Sequence, residues 1–212
     1  MTRILVADDH SVVRQGLRQI LALTTDLQFA GEAVDGWGVI EQVRRASFPF
    51  DLLLLDMSMP GPSGVDLIKR LHKEEPRLPI LVLSMHAESQ VASRAIKAGA
   101  SGYLTKDADP DALIAAIRQV AAGGQAVDQD LATRMIFESS APETDAPHRL
   151  LSDREYEIFL RLAGGDTIND IAASFHISPK TVSTHKFRLM RKLGVESVSE
   201  MVRYALRHGL LE

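Results

Sequence analysis

Five short apolar segments, spaced about 25 residues apart, constrain the fold of the first half of the chain more than any other feature. They are "ILVA" at 4–7, "LQFAG" at 27–31, "DLLLLD" at 51–56, "PILVLS" at 79–84 and "GYLTK" at 102–106. The stretches between them carry apolar residues at helical spacing, such as Val13, Leu17 and Leu21. Strands that alternate with helices predict a parallel sheet covered on both faces.

This alternation predicts an α/β domain of the doubly wound type, with five parallel strands in a (βα)5 arrangement, over residues 1–122. The alternation ends after Gly124, and residues 138–149 carry two prolines and almost no large apolar side chain. We therefore predict a linker over residues 123–149, in which residues 128–137 can form a short helix. Residues 150–212 are predicted to form a second, all-α domain of four helices.

The starts of the helices in the second domain are visible as capping patterns. Ser152 is followed three residues later by Glu155, and Thr167 by Asp170, which is the spacing of a capping box. Ser178 precedes Pro179, a pair typical of the N-cap and the first helical position. The four predicted helices cover about residues 153–163, 168–175, 179–193 and 198–208.

The composition excludes several classes of function. The chain has no cysteine, so disulfides, thiolate zinc sites and cysteine nucleophiles are excluded. No apolar run approaches the ~18 residues needed to span a bilayer, and the first residues lack the apolar core of a signal peptide. We therefore expect a cytoplasmic protein with no membrane partner.

Polar residues follow four of the predicted strands. Asp8 and Asp9 follow the first, and Asp56, Ser84 and Lys106 end the third, fourth and fifth. The carboxyl ends of parallel strands lie at one edge of a sheet, so these side chains are expected to converge. Three carboxylates repel one another unless a hard divalent cation neutralises them, and Mg²⁺ accepts such ligands.

This group of side chains also suits phosphoryl transfer. An aspartate can attack phosphorus to give an aspartyl phosphate, while cations neutralise the equatorial oxygens. Asp56 is the candidate nucleophile, Lys106 pairs with one phosphoryl oxygen, and Ser84 donates a hydrogen bond to another. A single aspartate after a strand is usually only a turn or capping residue, and the prediction depends on the five positions together.

The first domain resembles the receiver domain of bacterial two-component response regulators. The matching segments are "DDH" at 8–10, "DMSMPGPSG" at 56–64, "LS" at 83–84 and "AGASGYLTKD" at 98–107. The resemblance implies that a sensor histidine kinase transfers a phosphoryl group to Asp56. It also implies that Asp8, Asp9, Asp56 and the backbone carbonyl of Ser58 hold Mg²⁺ (or Mn²⁺), and that Ser84 and Tyr103 form a conformational switch. Without the family, an ordinary partly buried tyrosine is the alternative for Tyr103.

A cationic stretch within residues 178–193 holds Lys180, Lys186, Arg188, Arg191 and Lys192 and no acid. On a helical wheel, one side carries Val182, Leu189 and Leu193, and the opposite side carries Lys180, Thr184, Phe187 and Arg191. A cationic helix face of this kind can neutralise DNA phosphates while shorter side chains reach base edges in the major groove. The alternative is an ordinary solvated helix face.

The second domain closely resembles the LuxR-type helix-turn-helix domain, with "SPKTVSTH" at 178–185 as its most specific segment. Joined to a receiver, such a domain is typical of the NarL/FixJ subfamily of response regulators. The resemblance implies that Lys180, Thr181, Lys186 and Arg188 contact the DNA backbone and that Ser183, Thr184 and Phe187 face bases. Phe187 either touches a thymine methyl group or covers a neighbouring side chain.

The last predicted helix offers Val198, Met201, Val202 and Ala205, for which the resemblance implies a dimer contact. The alternative is that these residues pack within the domain. Together these features predict a transcription factor that is phosphorylated on Asp56, forms a homodimer and binds promoter DNA, with RNA polymerase as a candidate partner. Two alternatives remain: a Mg²⁺-dependent phosphatase or hydrolase that uses Asp56, and a regulator that acts through protein contacts without phosphorylation.

Overall fold

The computed structural model describes residues 1–45, 50–85, 89–128, 131–135, 146–175 and 177–211. The chain divides into two compact units, Met1–Ser140 and Ala141–Glu212. The first is an α/β unit and the second is helical. Among the described residues, none of the helices combines the length and the apolar character that crossing a membrane requires.

The first unit contains one sheet in which all pairings are parallel, in the order β2-β1-β3-β4-β5-β6. The strands are β1 (Thr2–Ala7), β2 (Leu27–Ala33), β3 (Leu52–Asp56), β4 (Ile80–Ser84), β5 (Gly102–Thr105) and β6 (Ala126–Val127). The helices are α1 (Ser11–Ala22), α2 (Gly36–Arg44), α3 (Gly64–Glu74), α4 (Ser89–Lys97) and α5 (Pro110–Ala121). The predicted alternation of strands and helices is confirmed.

The sheet is covered on both faces, which is why its central strands are apolar at every position. Leu52 and Leu54 of β3 pack in a core with Leu17 of α1 and Ile117 of α5. Side chains alternate along a strand, so Leu53 and Leu55 point to the opposite face, and both are fully buried. This doubly wound arrangement brings the carboxyl ends of β1 and β3 together at the point where the strand order reverses.

The prediction of five strands is wrong, because β6 adds a sixth in a segment that the sequence had suggested to be linker. Its backbone pairs with β5 through Gly102–Ala126 and Tyr103–Val127. Two residues are too few to show the alternating pattern of a strand in the sequence. They form a strand only because the free edge of β5 offers backbone groups for pairing. Residues 131–135 of the predicted linker are helical, whereas residues 129–130 and 136–145 lie outside the described residues. The exact limits of the linker therefore stay a prediction.

The second unit contains the four predicted helices, α6 (Asp153–Ala163), α7 (Ile168–Ser174), α8 (Pro179–Leu193) and α9 (Val198–Arg207). A 3-10 helix, Pro147–Leu150, precedes them and was not predicted. Both capping boxes are present, Ser152 with Glu155 and Thr167 with Asp170. Val182 and Leu189 of α8 and Ile171 of α7 are fully buried, so these two helices pack through the predicted apolar faces.

Candidate functional site

The acidic site, which consists of Asp8, Asp9, Asp56 and Lys106, lies at the carboxyl edge of the sheet. Asp8 and Asp9 follow β1, Asp56 ends β3, and Lys106 follows β5. Lys106 Nζ lies 2.7 Å from Asp8 Oδ2 and 3.1 Å from Asp56 Oδ2. The side chains of these three residues are 9% exposed or less. The structure therefore brings together four of the charged side chains that the sequence placed at strand ends.

Backbone contacts fix this arrangement. The Lys106 N–H donates to the Ser84 carbonyl at 2.8 Å, which joins the ends of β4 and β5. The Ser58 N–H donates to Asp56 Oδ1 at 3.3 Å, and the Arg14 guanidinium donates to the Asp8 carbonyl at 2.8 Å. Ser84 is buried one position beyond Leu83, which pairs with Asp56. Ser58 and Ser84 thus lie next to residues of the acidic site, and their roles there stay predictions.

Burial dominates the electrostatics of Asp56. It raises the pKa of this carboxyl to about 6, and nearby Asp8 adds to the rise, while Lys106 and the Ser58 N–H oppose it. Burial would lower the pKa of Lys106, but the carboxylates of Asp56 and Asp8 outweigh it and hold that pKa above its ordinary value. The ammonium group is therefore a permanent cation beside a carboxylate that is ionised at pH 7.5.

The donor set of the acidic site fits a divalent cation. One ligand atom from each of Asp8, Asp9, His10 and Asp56 lies within 4.8 Å of the others. Asp9 Oδ1 is buried and accepts no hydrogen bond from any residue that the structure describes, whereas Asp56 Oδ2 faces the Lys106 ammonium group at 3.1 Å. Buried carboxylate oxygens without a donor are the ligands that a hard cation requires. His10 was part of the quoted "DDH" segment, but its side chain was not predicted to belong to the site.

Tyr103, the second predicted switch residue, is fully buried on β5. It pairs in register with Val82, two residues before Ser84, so Tyr103 and Ser84 share one face of the sheet. The structure therefore holds the ring in the inward position of the predicted switch. An exchange between inward and outward positions stays a prediction.

The second candidate site is the exposed side of α8. Ser178 caps this helix by accepting from the Thr181 N–H at 3.1 Å, and Gly194 ends it in the left-handed conformation, with φ of 67°. Of the residues predicted to face DNA, Lys186 is half-buried and the others are exposed. The exposed residues are Lys180, Thr181, Ser183, Thr184, Phe187, Arg188 and Arg191. We call these seven exposed residues the cationic face.

Phe187 is 65% exposed, so within its unit it covers little of any neighbour. The hydroxyl groups of Ser183 and Thr184 donate to the carbonyls of Pro179 and Lys180, at 2.9 and 3.0 Å. Their oxygen lone pairs stay on the exposed surface as acceptors. A planar apolar group and small polar groups thus lie among cations, which is the composition that base contact in a groove requires.

Glu155 was predicted as a capping residue, and the structure gives it a second contact. Its Oε2 accepts from the Ser152 N–H at 2.8 Å and from the Lys192 ammonium at 2.5 Å. Burial opposes ionisation, but these donors together lower the pKa of Glu155. The start of α6 is thereby tied to the end of α8.

The predicted dimer residues divide into two groups. Met201 and Ala205 are fully buried inside the second unit, whereas Val198 and Val202 are half-buried on its surface. The assignment of Met201 and Ala205 to a contact with a second chain is therefore not compatible with this structure, because packing against their own unit already covers them. Leu206, four residues after Val202, is 55% exposed and was not predicted.

Both units match known protein families. Residues 4–118 match the response regulator receiver domain, and residues 149–205 match the bacterial regulatory proteins of the luxR family. The response regulator UvrY of Escherichia coli is 35% identical over 211 residues, which are 99% of this chain and 96% of UvrY. These matches combine a receiver with a DNA-binding helix-turn-helix domain.

Two solved structures of RcsB have the same organisation. RcsB from Salmonella enterica serovar Typhimurium, bound to a promoter in the presence of the phosphomimetic BeF3−, is 28% identical, with a TM-score of 0.60 over 96% of this chain and 97% of that one. A structure of two RcsB dimers bound to two parallel DNAs is 27% identical, with a TM-score of 0.60 over 96% of each chain.

The fold and the matches define a DNA-binding transcription regulator with a receiver domain. The chain belongs to the NarL/FixJ subfamily of two-component response regulators. Members of this family regulate transcription and are not enzymes, so the alternative of a phosphatase or hydrolase is wrong.

Proposed function

We propose that Asp56 accepts a phosphoryl group from a sensor histidine kinase. The observation that carries the proposal is the pairing of this buried carboxylate with the Lys106 ammonium at 3.1 Å. In the transfer, the bond between phosphorus and the kinase histidine nitrogen breaks, and a bond between phosphorus and an Asp56 carboxylate oxygen forms. The imidazole leaves with its electron pair and takes a proton from solvent.

The residues around Asp56 divide the work of this transfer. Lys106 pairs with a phosphoryl oxygen, which replaces its present pairing with Asp56 Oδ2. Ser84 donates its hydroxyl proton to a second oxygen. Because phosphoryl transfer needs mainly positioning and neutralisation of charge, this chain needs no further general base.

We assign Mg²⁺, or Mn²⁺ in its place, to Asp8, Asp9, Asp56 and the backbone carbonyl of Ser58. The buried Asp9 Oδ1, which accepts no hydrogen bond from the described residues, and the closeness of ligand atoms from Asp8, Asp9 and Asp56 support this assignment. When bound, the cation would neutralise negative charge on the phosphoryl oxygens. Lys106 pairs with Asp8 Oδ2, and Asp8 Oδ1 accepts a hydrogen bond from the His10 N–H at 2.7 Å.

Ser84 and Tyr103 are assigned to the switch that reports phosphorylation. A phosphoryl group adds roughly −1.5 to −2 charge units beside Ser84 at neutral pH. If the Ser84 hydroxyl moves toward this charge, it changes the space available to the Tyr103 ring on the same face of the sheet. The ring position would then alter the surface formed by α4, β5 and α5.

The cationic face of α8 is assigned to promoter DNA. Lys180, Thr181 and Arg188, together with half-buried Lys186, would contact phosphates, and Arg191 adds a further cation. Ser183, Thr184 and Phe187 would face bases. These contacts are supported by the exposure and charge of the helix, and by RcsB complexes in which related chains bind DNA.

A homodimer on phosphorylation would bring two recognition helices to half-sites about one helical turn, ~34 Å, apart. We assign the contact to Val198 and Val202, with Leu206 added on the same side of α9 at i, i+4 and i+8. We place the protein in the bacterial cytoplasm, because its proposed partners are found there. These partners are the catalytic domain of the sensor kinase, promoter DNA and RNA polymerase.

Mobility shifts on a promoter fragment test the proposal, with wild type and Asp56→Asn compared with and without BeF3− and Mg²⁺. We expect BeF3− to strengthen binding by wild type and to leave Asp56→Asn unchanged. Equal binding by wild type in both states would contradict phosphorylation control and would favour a regulator that acts through protein contacts. If neither wild type nor Asp56→Asn binds the promoter fragment in any condition, although both are folded, the assignment of α8 to DNA is contradicted.

A further inference from the structure

His10 occupies the N-cap position of α1 but does not cap the helix. Its backbone is extended, and its side chain makes no capping hydrogen bond. Serine, asparagine and aspartate are preferred at such positions because their oxygens accept from the first helical N–H groups. The imidazole is instead directed at the acidic site, so the usual reason for a side chain at this position does not account for His10.

The position of the imidazole relative to the carboxylates has the dimensions of a coordination sphere. His10 Nδ1 lies 2.8 Å from Asp9 Oδ1 and 3.3 Å from Asp8 Oδ1. Adjacent ligands of an octahedral ion with bonds of about 2.1 Å are separated by about 3.0 Å. The nitrogen therefore lies about as far from each of these two oxygens as neighbouring ligands of such an ion lie from each other.

The contact with Asp9 is not a hydrogen bond. Asp9 Oδ1 is buried and accepts no hydrogen bond from the part of the chain that the structure describes, although Nδ1 is only 2.8 Å away. The oxygen must therefore lie beside the direction in which Nδ1 would donate. Neighbouring ligand atoms of one metal ion are arranged in this way, because the lone pairs of both atoms point toward the ion and not toward each other.

Lys106 restricts where a cation can lie. Its ammonium contacts the Oδ2 atoms of both Asp8 and Asp56. The Asp56 residue is 3% exposed, and its Oδ1 accepts a weak hydrogen bond from the Ser58 N–H at 3.3 Å. A second cation is therefore repelled from the Oδ2 side and directed to the side that His10 adjoins.

We propose that His10 is a nitrogen ligand of the acidic site and raises the affinity of this site for a borderline transition ion relative to its affinity for Mg²⁺. The inference rests on the proposed function only in that a divalent ion binds at the acidic site. Imidazole suits ions such as Ni²⁺, Co²⁺ and Zn²⁺, whereas Mg²⁺ prefers oxygen ligands and retains its waters. With His10 the site offers such an ion a nitrogen beside the carboxylates.

Calorimetric titrations of the full-length protein with Ni²⁺ and separately with Mg²⁺ test this selectivity. His10→Ser removes the imidazole and introduces a favoured N-cap residue, so α1 is retained. We expect Ni²⁺ binding at this site to weaken by about 10- to 100-fold, while Mg²⁺ binding changes less than about twofold. His72→Gln is the matched control, because it removes an exposed histidine from the last turn of α3 and should leave both affinities unchanged.

Electron spin echo envelope modulation of bound Mn²⁺ supplies a direct readout of the ligand atom. We expect nitrogen modulation from one imidazole in wild type and in His72→Gln, and its loss in His10→Ser. Unchanged Ni²⁺ affinity without nitrogen modulation would overturn the inference while leaving the magnesium site intact. Tighter Mg²⁺ binding by His10→Ser would also overturn it, because His10 would then be a competitor. If neither ion binds wild type, the proposed magnesium site fails as well.

Discussion

The acidic site of the first unit and the cationic face of the second both depend on charge, but they use it under opposite conditions. At the acidic site, the buried carboxylates of Asp8 and Asp56 each lie within 3.1 Å of the Lys106 ammonium group. On the cationic face, Arg188 and Arg191 are exposed to solvent. Burial strengthens interactions between charges and shifts pKa values, whereas exposed charges are screened and act mainly on a polyanion that releases counterions.

This difference separates short-range chemistry from long-range attraction. A buried carboxylate beside a fixed ammonium group can form and stabilise one covalent bond to phosphorus. A solvated row of cations can attract any DNA through its phosphates, whereas contacts with base edges add sequence preference. Substitutions in the first region should therefore act as all-or-none changes, and those in the second as graded, salt-dependent ones.

The largest expected effect is the loss of phosphorylation in Asp56→Asn. Incubation with a small-molecule phosphoryl donor and Mg²⁺ should add one phosphoryl group to wild type and none to the variant, because the amide is not a nucleophile toward phosphorus. Intact-protein mass spectrometry measures the addition. Asp66→Asn, at an exposed position in the first turn of α3, is the control and should be labelled like wild type. Stoichiometric labelling of Asp56→Asn would refute the assignment.

A graded effect is expected on the cationic face. Replacing Arg188 and Arg191 together with alanine should weaken promoter binding about 100-fold at low salt and reduce the slope of log affinity against log salt by about two. Fluorescence anisotropy at several salt concentrations measures both quantities. Arg77→Ala, an exposed cation of the first unit, should change neither. An unchanged salt slope in the double variant would show that these cations do not contact phosphates.

Burial of Asp56 also predicts a pH-dependent change in stability. Its pKa is about 6 in the folded protein and about 3.9 in an unfolded chain, so folding stability falls as pH rises through this interval. Asp56→Asn removes that penalty. In metal-free buffer, we expect its gain in free energy of unfolding to be about 2 kcal/mol larger at pH 7.5 than at pH 4.5.

Urea unfolding at the two pH values, followed by circular dichroism, measures this change. Asp66→Asn, whose parent side chain is exposed, should show no comparable dependence on pH. A gain from Asp56→Asn that is the same at both pH values would mean that the Lys106 ammonium compensates for the burial of Asp56 more fully than the raised pKa implies.

The smallest expected effect concerns a cap in the second unit. Thr167 Oγ1 accepts from the Asp170 N–H at 3.2 Å, and Thr167→Ala should lower the free energy of unfolding of that unit by about 1 kcal/mol. Ser199→Ala, at an exposed position inside α9, should change it by less than about 0.5 kcal/mol. Thermal unfolding compares the two. Equal losses would indicate that α7 is held by packing and not by its capping box.

Much of the fold could be predicted because its signals are local. The apolar strands, the helical spacing and the caps at Ser152, Thr167 and Ser178 each depend on residues close together in sequence. β6 could not be predicted, since Ala126 and Val127 form a strand only because the edge of β5 pairs with them. In α9, helical spacing identified an apolar stripe but could not show that Met201 and Ala205 pack inward while Leu206 is exposed.

The sequence by itself determined which residues can take part in the chemistry, because strand ends in a parallel sheet converge wherever the strands are recognised. It therefore placed Asp8, Asp9, Asp56, Ser84 and Lys106 at one edge, and it placed the cations of α8 on one helix face. Only the tertiary structure decided the pKa of Asp56, the direction of the His10 side chain and the pairing of Lys192 with Glu155. Those properties depend on burial and on distances between segments up to 98 residues apart in the chain, which no local pattern encodes.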